Sequence, residues 1–125
     1  MAVLPIRITG DPILHRPAEP VVKFDKNLAA LVRDLQDTMA AAPGVGLAAP
    51  QVGVPLRVFV YNWRDDDGVQ HRGTAINPEL WISPPTVGEH TDETELEGCL
   101  SIPGERFALR RSERAILRAT DLDGA

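Results

Sequence analysis

The stretch Glu97-Gly98-Cys99-Leu100-Ser101 holds the only cysteine of the chain. A thiol can be a small apolar filler, a nucleophile activated by a base, or, as its thiolate, a ligand to a metal. A lone cysteine is most often the first of these. The second needs a histidine partner, and the chain offers His15, in a Pro-rich N-terminal segment, His71, just after an acidic turn, and His90. Each of the three reads as an ordinary solvated histidine. The other stretch with chemical character is Gly44-Val45-Gly46-Leu47-Ala48-Ala49-Pro50-Gln51. Its glycines let backbone approach a ligand closely and tolerate unusual dihedrals. It lacks the Lys-Ser/Thr of one nucleotide loop and the third glycine of the other, so it is no phosphate loop. A tight helix-to-strand connection with Gln51 at the surface accounts for it equally well. Asp65-Asp66-Asp67-Gly68 could hold a divalent cation, but a solvated acidic turn is the plainer reading.

These stretches need elements to hold them. Between Phe24 and Gly44, Leu28, Leu31, Val32, Leu35, Met39 and Ala42 recur at helical spacing, with Arg33, Asp34 and Asp37 on the other face. Asp25 is placed to cap this helix and Pro43-Gly44 to stop it. Val58 to Tyr61 predicts a buried strand, and the Asp65 turn a hairpin tip. Thr74–Ile82 and Thr86–Gly98 are weaker strand candidates, broken at Pro78 and Pro84-Pro85. Arg106–Arg111 and Arg114–Leu122 also have strand character; in the latter Ala115, Leu117 and Ala119 share one face and Ile116, Arg118 and Thr120 the other. One helix followed by short strands predicts an α+β fold with mostly antiparallel pairing. Asp123-Gly124 is a hairpin signal with only Ala125 after it, so residues 1–125 read as one domain whose chain is interrupted.

The bulk properties narrow the function classes. The chain has 125 residues, 43% of them hydrophobic and 25% charged, which suits one soluble globular domain rather than a disordered one. Ten glycines and eleven prolines predict short elements joined by tight turns. A net charge of -5 gives no basic footprint for nucleic acid. No apolar run approaches the roughly 18 residues of a membrane span, and the N-terminus has no secretory pattern. With one cysteine and no disulfide, the expected compartment is the cytoplasm.

Taken together, GVGLAAPQ and EGCLS resemble the first two signature motifs of the peptide deformylase family. The GDPILHRPAEPV opening and CLSIPGERFALRR agree with the same family, so the resemblance covers essentially the whole chain. It implies a metal-dependent amidase that removes the N-formyl group from the initiator methionine of new polypeptides, associated with the ribosome in complete members. It also implies roles. Cys99 would be the thiolate ligand of one divalent metal, Fe(II) by preference, with Zn(II), Ni(II) or Co(II) as substitutes. Gln51 would contact the metal-bound water and the formyl oxygen, and Leu100 would add its backbone N–H to the same developing oxyanion. Val45, Gly46 and Gly98 would hold the substrate, with Glu97 and Arg106 lining the cleft. Two donors aimed at one oxygen suit such a reaction, each typically worth about 3 kcal/mol of barrier.

The third motif of the family, HExxH on a C-terminal helix, occurs nowhere in the sequence. It would supply two further metal ligands and the glutamate that moves the proton. The expectation is therefore a deformylase-like chain without activity on its own and with doubtful metal retention. A complete member is expected to be a monomer, whereas this chain, without the helix that would cover an apolar sheet face, is expected to associate. A noncatalytic peptide-binding role for GVGLAAP and, behind it, a thiol hydrolase built on Cys99 are the alternatives.

Overall fold

A computed structural model of the chain describes residues 2–83, 96–108 and 114–125. The Asp25 side chain accepts the backbone N–H of Leu28 at 3.1 Å and starts α1, Lys26–Ala41. An N-cap carboxylate satisfies one of the orphan donors of the first turn, which is why the helix begins where the sequence predicted. Leu28, Val32, Leu35 and Met39 are buried along its inner face, as the periodicity required. Thr38 lies on the same face, and its hydroxyl explains how a polar residue is tolerated there. It donates to the Asp34 carbonyl at 2.6 Å and accepts the Leu4 N–H at 2.8 Å, fastening the N-terminal segment to the helix.

The strands are β1, Gly46–Ala48; β2, Val58–Arg64; β3, Gln70–Ile82; β4, Leu96–Cys99; β5, Ile102–Ala108; and β6, Ala115–Thr120. They form a four-stranded sheet in the order β1-β2-β3-β6 and a two-stranded sheet of β4 and β5. Every neighbouring pair is antiparallel, so the expected α+β class holds. The inner face of α1 packs with Leu47, Ala49, Val58, Val60 and Ile76 in one core. Val58 and Val60 are buried while Phe59 between them and Tyr61 after them are half-buried, so β2 alternates rather than being buried on both faces as its apolar run suggested.

The weaker strand candidate at 74–82 proves to be part of β3, which runs through Pro78 without stopping. Pro78 is accommodated because the register with β6 shifts between Ile76 and Glu79, and a bulge needs no ladder N–H at that position. Asn77 takes the left-handed conformation there, φ 50°. Its side chain accepts the Val21 N–H at 2.7 Å and donates to the Val21 carbonyl at 2.9 Å, locking the bulge to the N-terminal segment. Most of the candidate strand at 86–98, together with His90 and the end of the one at 106–111, lies outside the described residues.

The acidic turn is the tip of the β2–β3 hairpin. Asp65 accepts the Asp67 and Val69 N–H groups and shares a 2.9 Å hydrogen bond with His71, whose ring stacks on Trp63 at 4.7 Å. The His71 bond, and then the Val69 N–H, hold the Asp65 carboxyl below its ordinary range. This acidic tip is thus a self-satisfied turn.

Leu35 is fully buried at the centre of the core. Leu35→Ala cuts a buried isobutyl side chain back to a methyl group and leaves a cavity that the helix and sheet cannot fully close. It is expected to destabilise the chain by about 3 kcal/mol, read as a lower urea midpoint at unchanged slope.

Candidate active site

The two stretches that carried chemical character in the sequence line one cleft of about 860 Å³. Pro43 to Gly46 reach it from the loop after α1 and the start of β1, Gln51 from a 3-10 turn spanning Ala49–Val52, and Glu97 to Leu100 with Ile102 from the β4–β5 hairpin. All eight residues singled out by sequence, Val45, Gly46, Gln51, Glu97, Gly98, Cys99, Leu100 and Arg106, are on its walls.

Local structure aims each of them. Cys99 pairs with Ile102, so β4 and β5 turn over only Leu100 and Ser101. A register shift between Gly98 and Cys99 gives the strand the local kink by which a bulge redirects a side chain. The Cys99 thiol is exposed rather than buried as a small apolar filler. Leu100 folds back onto the core and against Gly44, where a Cβ would stand 2.8 Å from the Leu100 Cδ1. Gly44 is thus needed for close approach, not for its dihedrals. The left-handed conformation falls instead at Gly53, φ 88°, which ends the 3-10 turn.

Gln51 is half-buried and held at both ends of its amide. Its Oε1 accepts the Ala48 N–H at 3.0 Å, reaching back to the residue that starts its own turn. Its Nε2 donates to the Ser101 Oγ at 3.1 Å and lies 3.9 Å from the Cys99 Sγ. A backbone N–H can only donate, so the atom facing Ala48 must be oxygen, and the nitrogen therefore faces the cysteine. The main chain is tied as well: the Arg7 N–H donates to the Gln51 carbonyl at 2.6 Å and the Thr9 N–H to the Ser101 carbonyl at 2.8 Å. Arg7 also bonds Asp11 at 3.0 Å, and with the Ile13 N–H, the stronger influence, it lowers the Asp11 carboxyl below its ordinary value.

The family model for polypeptide deformylase matches residues 3–125. The chain belongs to the polypeptide deformylase family. The peptide deformylase of Rhodococcus opacus is 50% identical over 130 residues, which cover 99% of this chain and 65% of that one. The enzyme of Acidothermus cellulolyticus is 54% identical over 118 residues, covering 94% and 59%. Among solved structures, the peptide deformylase of Acinetobacter baumannii superposes with TM-score 0.85 at 31% identity over 100% of this chain and 80% of that one. That of Thermotoga maritima gives TM-score 0.77 at 38% identity over 96% and 75%. The chain therefore spans less than two thirds of the length of either curated relative.

Deformylases are metal-dependent as a family. A catalytic metal needs about three protein ligands, and the described residues contain no group of three His, Cys, Asp or Glu side chains that could hold one. Cys99 alone could offer a thiolate, so the described residues do not by themselves fit the metal. Neither His15 nor His71 lines the cleft, and His71 is engaged at the far hairpin tip. The pairing that a thiol hydrolase would need is thus not formed by either of them. Sequence reasoning named the cleft walls but missed Ser101, although it sits inside EGCLS, and missed Gly104, whose φ of 77° shapes β5 beside Glu105 and Arg106. The glycine itself was the available signal for the latter.

Proposed function

We propose that this chain carries the substrate cleft and the oxyanion half of a deformylase acting on N-formylmethionyl peptides. The convergence of Gln51 and Cys99, 48 positions apart in sequence, within 3.9 Å carries this reading. In it, Val45, Gly46 and Gly98 hold the peptide, Glu97 and Arg106 line its path, and Gln51 Nε2 with the Leu100 backbone N–H meets the formyl oxygen. Cys99 would offer one thiolate to a divalent metal, Fe(II) or its Zn(II), Ni(II) or Co(II) substitutes, and the described residues do not complete such a site. Cleft residues Gly44 and Gly46 keep side-chain bulk away from the peptide, and Leu100 seals the floor against the core.

Because the sequence holds no HExxH, the chain binds formyl peptide without hydrolysing it. A cleft whose walls are assembled while the described residues hold no metal ligand set favours binding as the activity of these 125 residues alone. The test is titration of the ¹⁵N-labelled chain with formyl-Met-Ala-Ser. Saturable shifts are expected at Gly46, Gly98 and the Gln51 side chain, and the unformylated peptide should bind more weakly. A spectrum that does not move at those positions refutes the reading.

A further inference from the structure

The amide of Gln51 has two N–H bonds, and a donor meant for a substrate oxygen must keep one of them pointing into the cleft. One end of the amide is fixed by the Ala48 N–H, which sets which atom is nitrogen. That bond alone leaves the side chain free to swing about the oxygen. The second restraint is the Ser101 hydroxyl, 3.1 Å from Nε2 and on a residue only 4% exposed. Ser101 is itself anchored, since its carbonyl accepts the Thr9 N–H while Arg7, two residues earlier, holds the Gln51 carbonyl. The segment from Arg7 to Thr9 thus ties together two elements from different parts of the fold, and the Ser101 hydroxyl closes the loop through side chains.

We propose that Ser101 is a positioning residue: its buried hydroxyl takes one N–H of Gln51 and so directs the other into the cleft. The inference deepens the reading of Gln51 as an oxyanion donor and rests on that reading for its catalytic meaning, but its physical content is the orientation of one amide. A hydroxyl is suited to this task because it is compact enough to be buried beside the cysteine and accepts while its own proton turns elsewhere. Alanine would leave the Gln51 nitrogen with no fixed partner on that side.

The test is made on the ¹⁵N-labelled full chain, where the Gln51 side-chain pair is assigned by its loss in Gln51→Ala. In the wild type, the two amide protons should be well separated in chemical shift, and one should show a nuclear Overhauser contact to the Ser101 β protons. In Ser101→Ala the separation should collapse toward that of a free glutamine, with solvent exchange of the pair about two- to tenfold faster. Ser101→Thr, which keeps the hydroxyl, should restore both. An unchanged pair in Ser101→Ala overturns the proposal. So does a change that Ser101→Thr does not reverse while both variants keep native backbone spectra, because packing rather than the hydroxyl would then be responsible. Where a variant fails to fold, absence of the wild-type contact to Ser101 decides against it. None of these readouts involves formyl peptide, so failure here leaves the deformylase reading standing, and failure of peptide binding leaves the orientation measured here intact.

Discussion

Reconstituted with Fe(II), Zn(II), Ni(II) or Co(II), the 125-residue chain is expected to release no formate from formyl-Met-Ala-Ser above the uncatalysed rate. One thiolate does not retain a catalytic cation against dilution when about three ligands are the rule. The proton-moving carboxylate of the HExxH motif, a step typically worth about 10²- to 10⁴-fold, is also absent from the sequence. The proposed oxyanion donors, Gln51 and the Leu100 backbone N–H, would have no developing charge to stabilise without an activated nucleophile.

The same reasoning predicts a gain. Joined at its C-terminus to a helix carrying His-Glu-x-x-His from a family member, the chain should bind one equivalent of metal and acquire turnover. In that joined protein Gln51→Ala should lower kcat by about 10²- to 10³-fold with KM little altered, the mark of a donor that acts in the transition state. Cys99→Ser should reduce metal content as well as rate. Turnover by the unextended chain, surviving chelator, would sink this account and revive a thiol mechanism. Turnover by the joined protein that ignores Gln51→Ala would keep the family chemistry and remove the glutamine from it.

The parts of the structure that were legible in the sequence are those governed by local rules. Helix α1 was readable because its cap, its apolar spacing and its stop all lie within twenty residues of one another, and Asp25 takes the role its position suggested. The cleft walls were readable because two strings resemble a family, not because any local rule brings Gln51 to Cys99. What placed them together is non-local: Leu100 against Gly44 and the core, and backbone bonds from Arg7 and Thr9. Ser101 was missed for that reason, since a serine in a turn has no recognisable task until its partner 50 positions away is known. The length of β3 was missed because Pro78 breaks a regular strand, and only the register shift beside Asn77 shows how this one continues. Glycine freedom was assigned to Gly44 and Gly46, whereas the left-handed residue is Gly53, just beyond the motif. In β6 the alternation was legible but not its burial, because burial depends on what covers a face.

The exposure of β6 underlies a second large effect, the association of the chain with itself. The outer end of the four-stranded sheet is formed by β3 and β6, with Leu80 opposite Leu117 and Trp81 opposite Ile116. Residues directly opposite share a face and neighbouring pairs alternate, so one face presents Leu80 with Leu117 and the other Trp81 with Ile116. Both faces are open: Leu80 is 62% exposed, Trp81 51%, Ile82 60%, Ile116 67% and Leu117 46%. Among the described residues β6 is also an edge strand, which leaves one row of its backbone donors and acceptors for another chain. An apolar ribbon with two bare faces and a free edge is an association surface by each of these criteria. The chain should therefore sediment as oligomers whose size grows with concentration, and heating should give broad, irreversible loss of structure instead of a sharp monomeric transition. The double variant Ile116→Lys, Leu117→Lys places one charge on each face of the edge strand. It should shift the population to monomer and steepen the thermal transition without changing the far-ultraviolet circular dichroism, since neither side chain belongs to the α1 core. A concentration-independent monomer in the wild type, or a double variant that associates as strongly as the parent, would show that this ribbon is not the surface through which the chain meets itself.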